Sequence, residues 1–279
     1  MSTPRAVVLA RGLGSRMRAP APGVQLTAAQ ARAADAGLKA MMPMNGRPFL
    51  DFVLSSLADA GVREVALIVA PDHDLLSHRY TVEAPPSRLE LAFLVQPEPL
   101  GTAHAVLAAE PWVRGLPFLT VNGDNLYPRE ALEGLAGLEA PGLCAFDAND
   151  LVRFGNIPPE RIAAFAVVTV NDDGLLTGII EKPGLSDDIS TVVRPAATGK
   201  PGVLVSMNCW RFDARIFPAC RDVPRSARGE FELPEAVALA MQRGVPFRVL
   251  RAGGTVLDLS GRADEAEVER RLQGVMARP

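Results

Sequence analysis

The sequence predicts an α/β fold in which a mainly parallel sheet lies between helical layers, with an antiparallel hairpin added in the second half. Three observations lead there. Short aliphatic runs alternate with amphipathic stretches along the first half of the chain, the rhythm of successive strand–helix–strand units. Those runs are apolar at consecutive positions rather than at every second one, as strands covered on both faces should be. Further on, the turn formers Asn171-Asp172-Asp173-Gly174 join two aliphatic runs, the signature of a tight connection between antiparallel strands. With 279 residues, 48% of them hydrophobic, there is enough apolar side chain for a substantial core.

In chain order, the first strand is expected at 6–10 and runs into Arg11-Gly12-Leu13-Gly14-Ser15-Arg16-Met17. Gly12 and Gly14 lack Cβ, so the turn can take positive φ and bring its amide N–H groups close to anionic oxygens. Arg16 adds a planar, permanently charged fork of donors. This is the composition of a polyphosphate site. It is neither of the two common nucleotide motifs: position 17 is Met17 where a dinucleotide fingerprint requires its third glycine, and the Lys-Ser/Thr ending of a P-loop is absent.

Thr27-Ala28-Ala29-Gln30 then reads as a capping box, the alanine-rich run to Ala36 favours helix, and Gly37 supplies a stop. A short surface helix is expected there, either a spacer without chemistry or a mobile cover over the phosphate turn. Lys39 leads an apolar segment into a helix at 48–60, a position suited to meeting an anion. Strands follow at 64–70 and 89–95, and the second delivers Gln96 and then Gly101-Thr102 at the start of a helix over 102–110. A side-chain amide beside a close-approach glycine suits the edge of a nucleobase. A strand at 118–121 ends in Asn122-Gly123-Asp124-Asn125, which places a carboxylate at the carboxyl edge of the sheet, a hard oxygen ligand of the kind magnesium takes.

After a strand at 143–146 the topology changes, near residue 150. Strands at 165–170 and 175–181 form the hairpin, and Glu181-Lys182-Pro183 closes it. Strands at 202–212, 247–251 and 255–259 alternate with helices at 231–243 and 263–273, and Asp258 lies on the last strand.

Composition excludes several classes of function. The net charge is −3, the pI is near 5.7 and the basic residues are scattered, which excludes nucleic acid and anionic membrane surfaces as partners. Cys144, Cys209 and Cys220 form no CxxC or zinc spacing, so they are read as small buried hydrophobes of a protein in a reducing, cytoplasmic setting. No signal peptide and no apolar stretch of about 20 residues is present. His73, His78 and His104 are assigned no catalytic role, and Trp112, Trp210, Tyr80 and Tyr127 are assigned to packing.

In this order and spacing, the chain resembles the sugar-1-phosphate nucleotidylyltransferases from about Ala6 to Asp258. The resemblance is carried by the glycine turn through Arg16 and Met17, by Lys39 with Pro43, by Gln96 with Leu100-Gly101-Thr102-Ala103, and by Gly123-Asp124. It continues through Glu181-Lys182-Pro183 and Arg228-Gly229-Glu230-Phe231-Glu232-Leu233 to Asp258. It implies a Rossmann-like, GT-A-like three-layer sandwich forming one nucleotidyltransferase domain over 1–279. Within it a nucleotide-binding half would cover about 5–150, a sugar-phosphate half about 151–262, and a terminal helix 263–279. It also implies the reaction: the phosphate of a sugar-1-phosphate attacks the α-phosphorus of a nucleoside triphosphate in line, with Mg²⁺ present, and pyrophosphate leaves.

By the same resemblance Arg16, Lys39 and Lys182 are the catalytic cations. Ala10, Gly12, Gly14, Gln96, Gly101 and Thr102 hold the nucleotide, Glu181 and Asn208 the sugar, and Asp124 and Asp258 the metal. Arg225 to Glu232 is either a charged loop or the back of the sugar site. The partners are small molecules, with a homo-oligomer as a further candidate.

The chain departs from the family pattern at several places. Arg11 stands for a small residue, the stretch from Arg16 to Lys39 is long, Phe165-Ala166 lacks the glycine that relatives carry before the hairpin, Asn208 replaces a glycine, and Ser260-Gly261 replaces Gly-Thr. A sugar other than plain glucose follows from the added bulk. Gln96 favours UTP or dTTP, with CTP and ATP left open. A catalytically silent nucleotide-sugar-binding relative and a GT-A-type glycosyltransferase are the alternative functions.

Overall fold

The computed structural model describes residues 4–12, 14–19, 24, 26–35, 37–181, 202–254 and 256–279. Thirteen strands are described: β1 (Arg5–Leu9), β2 (Pro43–Met44), β3 (Arg47–Pro48), β4 (Glu64–Val69), β5 (Glu90–Val95), β6 (Phe118–Asn122), β7 (Asn125–Leu126), β8 (Gly142–Asp147), β9 (Ala166–Val170), β10 (Leu176–Ile180), β11 (Leu204–Phe212), β12 (Arg248–Ala252) and β13 (Leu257–Asp258). Nine of them make one sheet in the order β10-β9-β11-β6-β1-β4-β5, and β8 pairs with both β11 and β12 beside that path.

β1 runs parallel to β4 and β6, and β4 runs parallel to β5. β11 runs antiparallel to β6, β8 and β9, and β10 closes the expected hairpin on β9. The mixed sheet with a parallel centre is therefore the one that the apolar runs and the Asn171–Gly174 turn predict.

Period-two alternation sends successive residues of each central strand into opposite layers. Ala6, Val8, Val65 and Leu67 join one core with the helix Phe49–Asp59, while Val7, Ala66 and Ile68 join another with the helices Thr102–Leu107, Ile216–Asp222 and Leu233–Gln242. After a charged first residue, Arg5 in β1 and Glu64 in β4, both runs are apolar to their ends because both of their faces are covered. Trp210, Phe212 and Phe247 pack against one another inside the second core, and Cys144, Cys209 and Cys220 are all buried, as expected of them.

Four elements differ from expectation. The helix expected over 102–110 ends at Leu107 and a separate turn of helix spans Glu110–Val113, with Pro111 at its start. A proline there has no N–H to continue the preceding ladder. The last strand shortens to Leu257–Asp258 and pairs with β7 outside the large sheet. The terminal helix is Glu265–Arg271, preceded by a tighter turn at Arg262–Asp264. The helix Ala28–Asp35 forms with the capping box intact, Gln30 Oε1 accepting from Thr27 N at 2.9 Å and Thr27 Oγ1 accepting from Gln30 N at 3.3 Å. That helix is not a free surface element: Gln30 and Ala34 are buried against the rest of the fold.

Among the described residues no helix is long and apolar enough to cross a membrane.

Candidate active site

The parallel pairing brings three connections to one edge. Leu9 stands opposite Ile68 and Asn122, and Val69 opposite Val95, so β1, β4, β5 and β6 end level with one another. The glycine turn, Gln96 and Gly123-Asp124 each begin one residue beyond such an end. Backbone bonds hold these starts together: Gly123 N donates to Leu9 O at 2.9 Å, Ala10 N to Ile68 O at 3.0 Å and Gln96 N to Val69 O at 2.9 Å. Ligands of parallel sheets lie beyond this edge.

A cleft of about 360 Å³ opens there, lined by Ala10, Gly12, Gly14, Arg16, Lys39, Gln96, Gly101, Thr102, Asp124 and Asn208 among others. Ten positions that the sequence reading nominated thus share one concavity, although they span nearly two hundred residues of chain. Glu181 lies outside the lining, close to Arg228 at 4.0 Å, and Asp258 lies behind it. Lys182 falls outside the described residues.

Glycine is required at two of these places. Gly14 has φ +61°, and a Cβ there would sit 2.3 Å from Gly37 O. The glycine turn therefore rests on Gly37, just beyond the Ala28–Asp35 helix. Gly101 has φ +105°, and a Cβ would sit 2.5 Å from Phe231 O, where the loop before Leu233 crosses beside the cleft. Phe231 N donates to Leu100 O at 2.7 Å and Leu233 N to Thr102 Oγ1 at 2.9 Å, so the 225–232 stretch buttresses this corner. Asn208 adopts φ +57° within a bulge of β11, the left-handed region that asparagine tolerates best after glycine.

The charged side chains of the cleft differ in what they meet. Lys39 Nζ donates to Asp124 Oδ2 at 2.9 Å. The Arg16 side chain, exposed on the one-turn helix Ser15–Arg18, has no partner among the described residues. Arg11 turns sideways instead of toward the phosphate turn: its Nε donates to Gln96 O at 3.0 Å and its Nη2 to Pro97 O at 3.2 Å. Burial lowers the Arg11 pKa, and Asp72 partly restores it.

Asp258 is the most enclosed acid of the set. Oδ1 accepts from Asn125 Nδ2 at 2.9 Å and Oδ2 from Arg161 Nη1 at 2.7 Å, while Ser260 Oγ stands 2.8 Å from both oxygens. Burial and then the nearby Asp124 charge push its carboxyl above the usual range, against the pull of Ser260 and Arg161. Arg161 also forms an ion pair with Asp264. Burial works against the Arg161 charge, but Asp264 and Asp258 more than offset it and hold the guanidinium above its ordinary value.

Arg161 is a residue the sequence reading missed. It sits in a short 3₁₀ helix, Pro159–Ala164, with no motif around it, and its partners lie about a hundred residues away.

A divalent cation fits this donor set. Asp124 offers a partly exposed oxygen at the cleft, and Asp258 lies close enough for the two charges to repel. Ser260 has one proton for two carboxylate oxygens, so one acceptor position on Asp258 stays open. No group of three or more His, Cys, Asp or Glu side chains suited to a metal occurs among the described residues.

Residues 5–254 match the family described as nucleotidyl transferase. The UTP–glucose-1-phosphate uridylyltransferase AglF of Haloferax volcanii is 28% identical over 269 residues, 96% of each chain. A glucose-1-phosphate thymidylyltransferase of Streptomyces antibioticus is 27% identical over 277 residues, which cover 95% of this chain and 65% of that one. In fold, the chain is similar to a UDP-glucose pyrophosphorylase solved with UDP-glucose, at a TM-score of 0.73 and 14% identity, with 99% of this chain and 100% of the other aligned.

Proposed function

The chain belongs to the nucleotidyl transferase family and is a transferase of nucleotidyl groups onto sugar-1-phosphates, and we propose that it uses UTP or dTTP with Mg²⁺ and releases pyrophosphate. The single observation that supports this most is the convergence of Arg16, Lys39, Asp124, Gln96 and Gly101 on one cleft at the carboxyl edge of the parallel strands.

Joining two polyanions requires that their repulsion be neutralised and that the attacking oxygen be aligned with the α-phosphorus. The amides of the turn around Gly12 and Gly14, with Ala10 beside them, would hold the triphosphate. Arg16, free of any described acidic partner, would neutralise the charge that grows on the leaving pyrophosphate. Lys39 would face the transferring phosphoryl group, and Lys182 the incoming sugar phosphate. Gln96, Gly101 and Thr102 would bind the base, and Glu181 and Asn208 the sugar. A phosphate nucleophile is already ionised, so no histidine or other general base is called for.

Asp124 and Asp258 would hold Mg²⁺, which supplies charge neutralisation across phosphate oxygens. In the absence of substrate, Lys39 and Arg161 balance those two carboxylates instead.

The test is a matrix of UTP, dTTP, CTP, ATP and GTP against several sugar-1-phosphates with Mg²⁺, followed by pyrophosphate release. Activity with UTP or dTTP that chelation abolishes is expected. Release of pyrophosphate from no pair would refute the proposal, and transfer of a sugar from a nucleotide sugar to an acceptor would favour the glycosyltransferase alternative.

A further inference from the structure

Gln96 is nearly inaccessible, 2% exposed, and its amide is held from two sides. Nε2 lies 3.1 Å from Gly101 O and 3.0 Å from His104 Nδ1. A carbonyl oxygen can only accept, so Nε2 must be the NH₂ group, and its two protons are both engaged. The backbone of the same residue is held by Arg11 Nε on Gln96 O at 3.0 Å. What Gln96 leaves toward the cleft it lines is Oε1, which accepts no hydrogen bond from any described residue.

From this geometry we infer that His104 is a positioning residue for base selection: its Nδ1 pins the Gln96 amide so that the cleft meets an acceptor alone, and the site takes a base with an N–H at the reading edge. The inference rests on the reading of Gln96 as the base-contacting side chain. Uracil and thymine carry N3–H and satisfy Oε1. Cytosine carries a lone pair at N3, which would face the Oε1 lone pairs with no proton between them and leave both unsatisfied. An amide free to flip would serve either base.

The Nδ1 atom that accepts from Gln96 carries no proton, so His104 is the neutral tautomer with its hydrogen on Nε2. Besides Gln96, the imidazole lies against Phe231, ring centroids 6.5 Å apart. Its helix position, two residues after Thr102, follows directly from the turn that Gly101 permits.

The test compares wild type, His104→Leu and His104→Asn by kcat/KM for UTP and CTP and by calorimetric binding of UDP and CDP. Leucine keeps the bulk but removes the acceptor, whereas asparagine places Oδ1 where Nδ1 was. In wild type, UTP is expected to exceed CTP by about a hundredfold, the order expected when a buried acceptor meets a lone pair. In His104→Leu that ratio should fall about tenfold, through a higher KM for UTP with kcat within about twofold, and His104→Asn should recover most of it.

An unchanged ratio in His104→Leu, or equal weakening of UDP and CDP in both variants, overturns the inference and leaves His104 as packing. Wild type that binds UDP over CDP yet releases no pyrophosphate from any pair would refute the proposed reaction instead, and the binding ratios would still judge His104.

Discussion

Lys39 Nζ lies 2.9 Å from Asp124 Oδ2, joining the segment after the Ala28–Asp35 helix to the end of β6 across the floor of the cleft. A cation and an anion held this close cancel each other, and under the proposed reaction a phosphate would compete for Lys39 and Mg²⁺ for Asp124. Removing either should therefore depress turnover, but in distinguishable ways. Asp124→Asn is expected to lower kcat by about a hundredfold or more and to raise the Mg²⁺ concentration for half-activity. Lys39→Met should lower kcat by a similar factor without raising that Mg²⁺ requirement. Pyrophosphate release across a Mg²⁺ titration measures both, and thermal melts within a few degrees of wild type would show that the fold is intact.

The two glycines of the phosphate turn should respond differently to alanine. A Cβ on Gly12 meets nothing within 4 Å, whereas one on Gly14 would collide with Gly37 O at 2.3 Å and occupy φ +61°. Gly14→Ala should therefore destabilise the protein by about 2 kcal/mol or more, through backbone strain and the displaced Gly37 segment. Gly12→Ala should leave stability within about 0.5 kcal/mol, so a raised KM for the nucleotide in that variant reports close approach of substrate to the turn. Urea unfolding and steady-state kinetics on the pair separate the two effects.

That contrast also marks how far the sequence could be read. The apolar runs identified the strands, because burial on both faces leaves a compositional record at consecutive positions, 6–9 of β1 and 65–69 of β4. The glycine spacing, Gln96 and Asp124 stood directly after such runs, so their meeting at one edge followed once the strands were taken as parallel. What stayed hidden were the side chains that hold the site from a distance. Arg161 reaches Asp258 from 97 residues away, and Arg262 reaches Met17 O from 245 away. The sequence assigns His104 no catalytic role, and its contact with the Gln96 amide depends on one turn of helix that no composition encodes. Arg11 looked like a change in the phosphate turn, yet it points to the backbone of Gln96 and Pro97.

Arg161 serves two acids, Asp258 and Asp264, of which the first is 2% exposed. Replacing it by methionine would leave both carboxylates without their cation in a poorly solvated place. Because Arg161 itself is partly accessible, the loss should be at the low end for a broken buried pair, about 3 kcal/mol. The denaturant midpoint should fall with the slope unchanged. Adding Mg²⁺ with a nucleotide should recover part of that loss if Asp258 shares the ion with Asp124, since a ligand bound only by the folded state raises its stability.

Glu265 gives the fold a pH dependence near neutrality. Gln30 Nε2 donates to its Oε1, and its carboxyl is pushed up from 4.5 to about 7 by burial and then by Glu269, whose own Oε1 takes Asn45 N at 2.9 Å. Glu267, two residues from each member of that pair, is drawn down to about 2 by Arg270 and Arg271 and so does not titrate in the same range. A carboxyl that binds its proton more tightly when folded contributes stability that is complete below about 4.5 and is lost as pH rises through about 7. Glu265→Gln keeps the acceptor for Gln30 and supplies a permanent donor toward Glu269. The variant should therefore melt with wild type near pH 5 and above it near pH 8. Equal melting temperatures for the two proteins at the alkaline end would show that Glu265 is ionised at no penalty in the folded state.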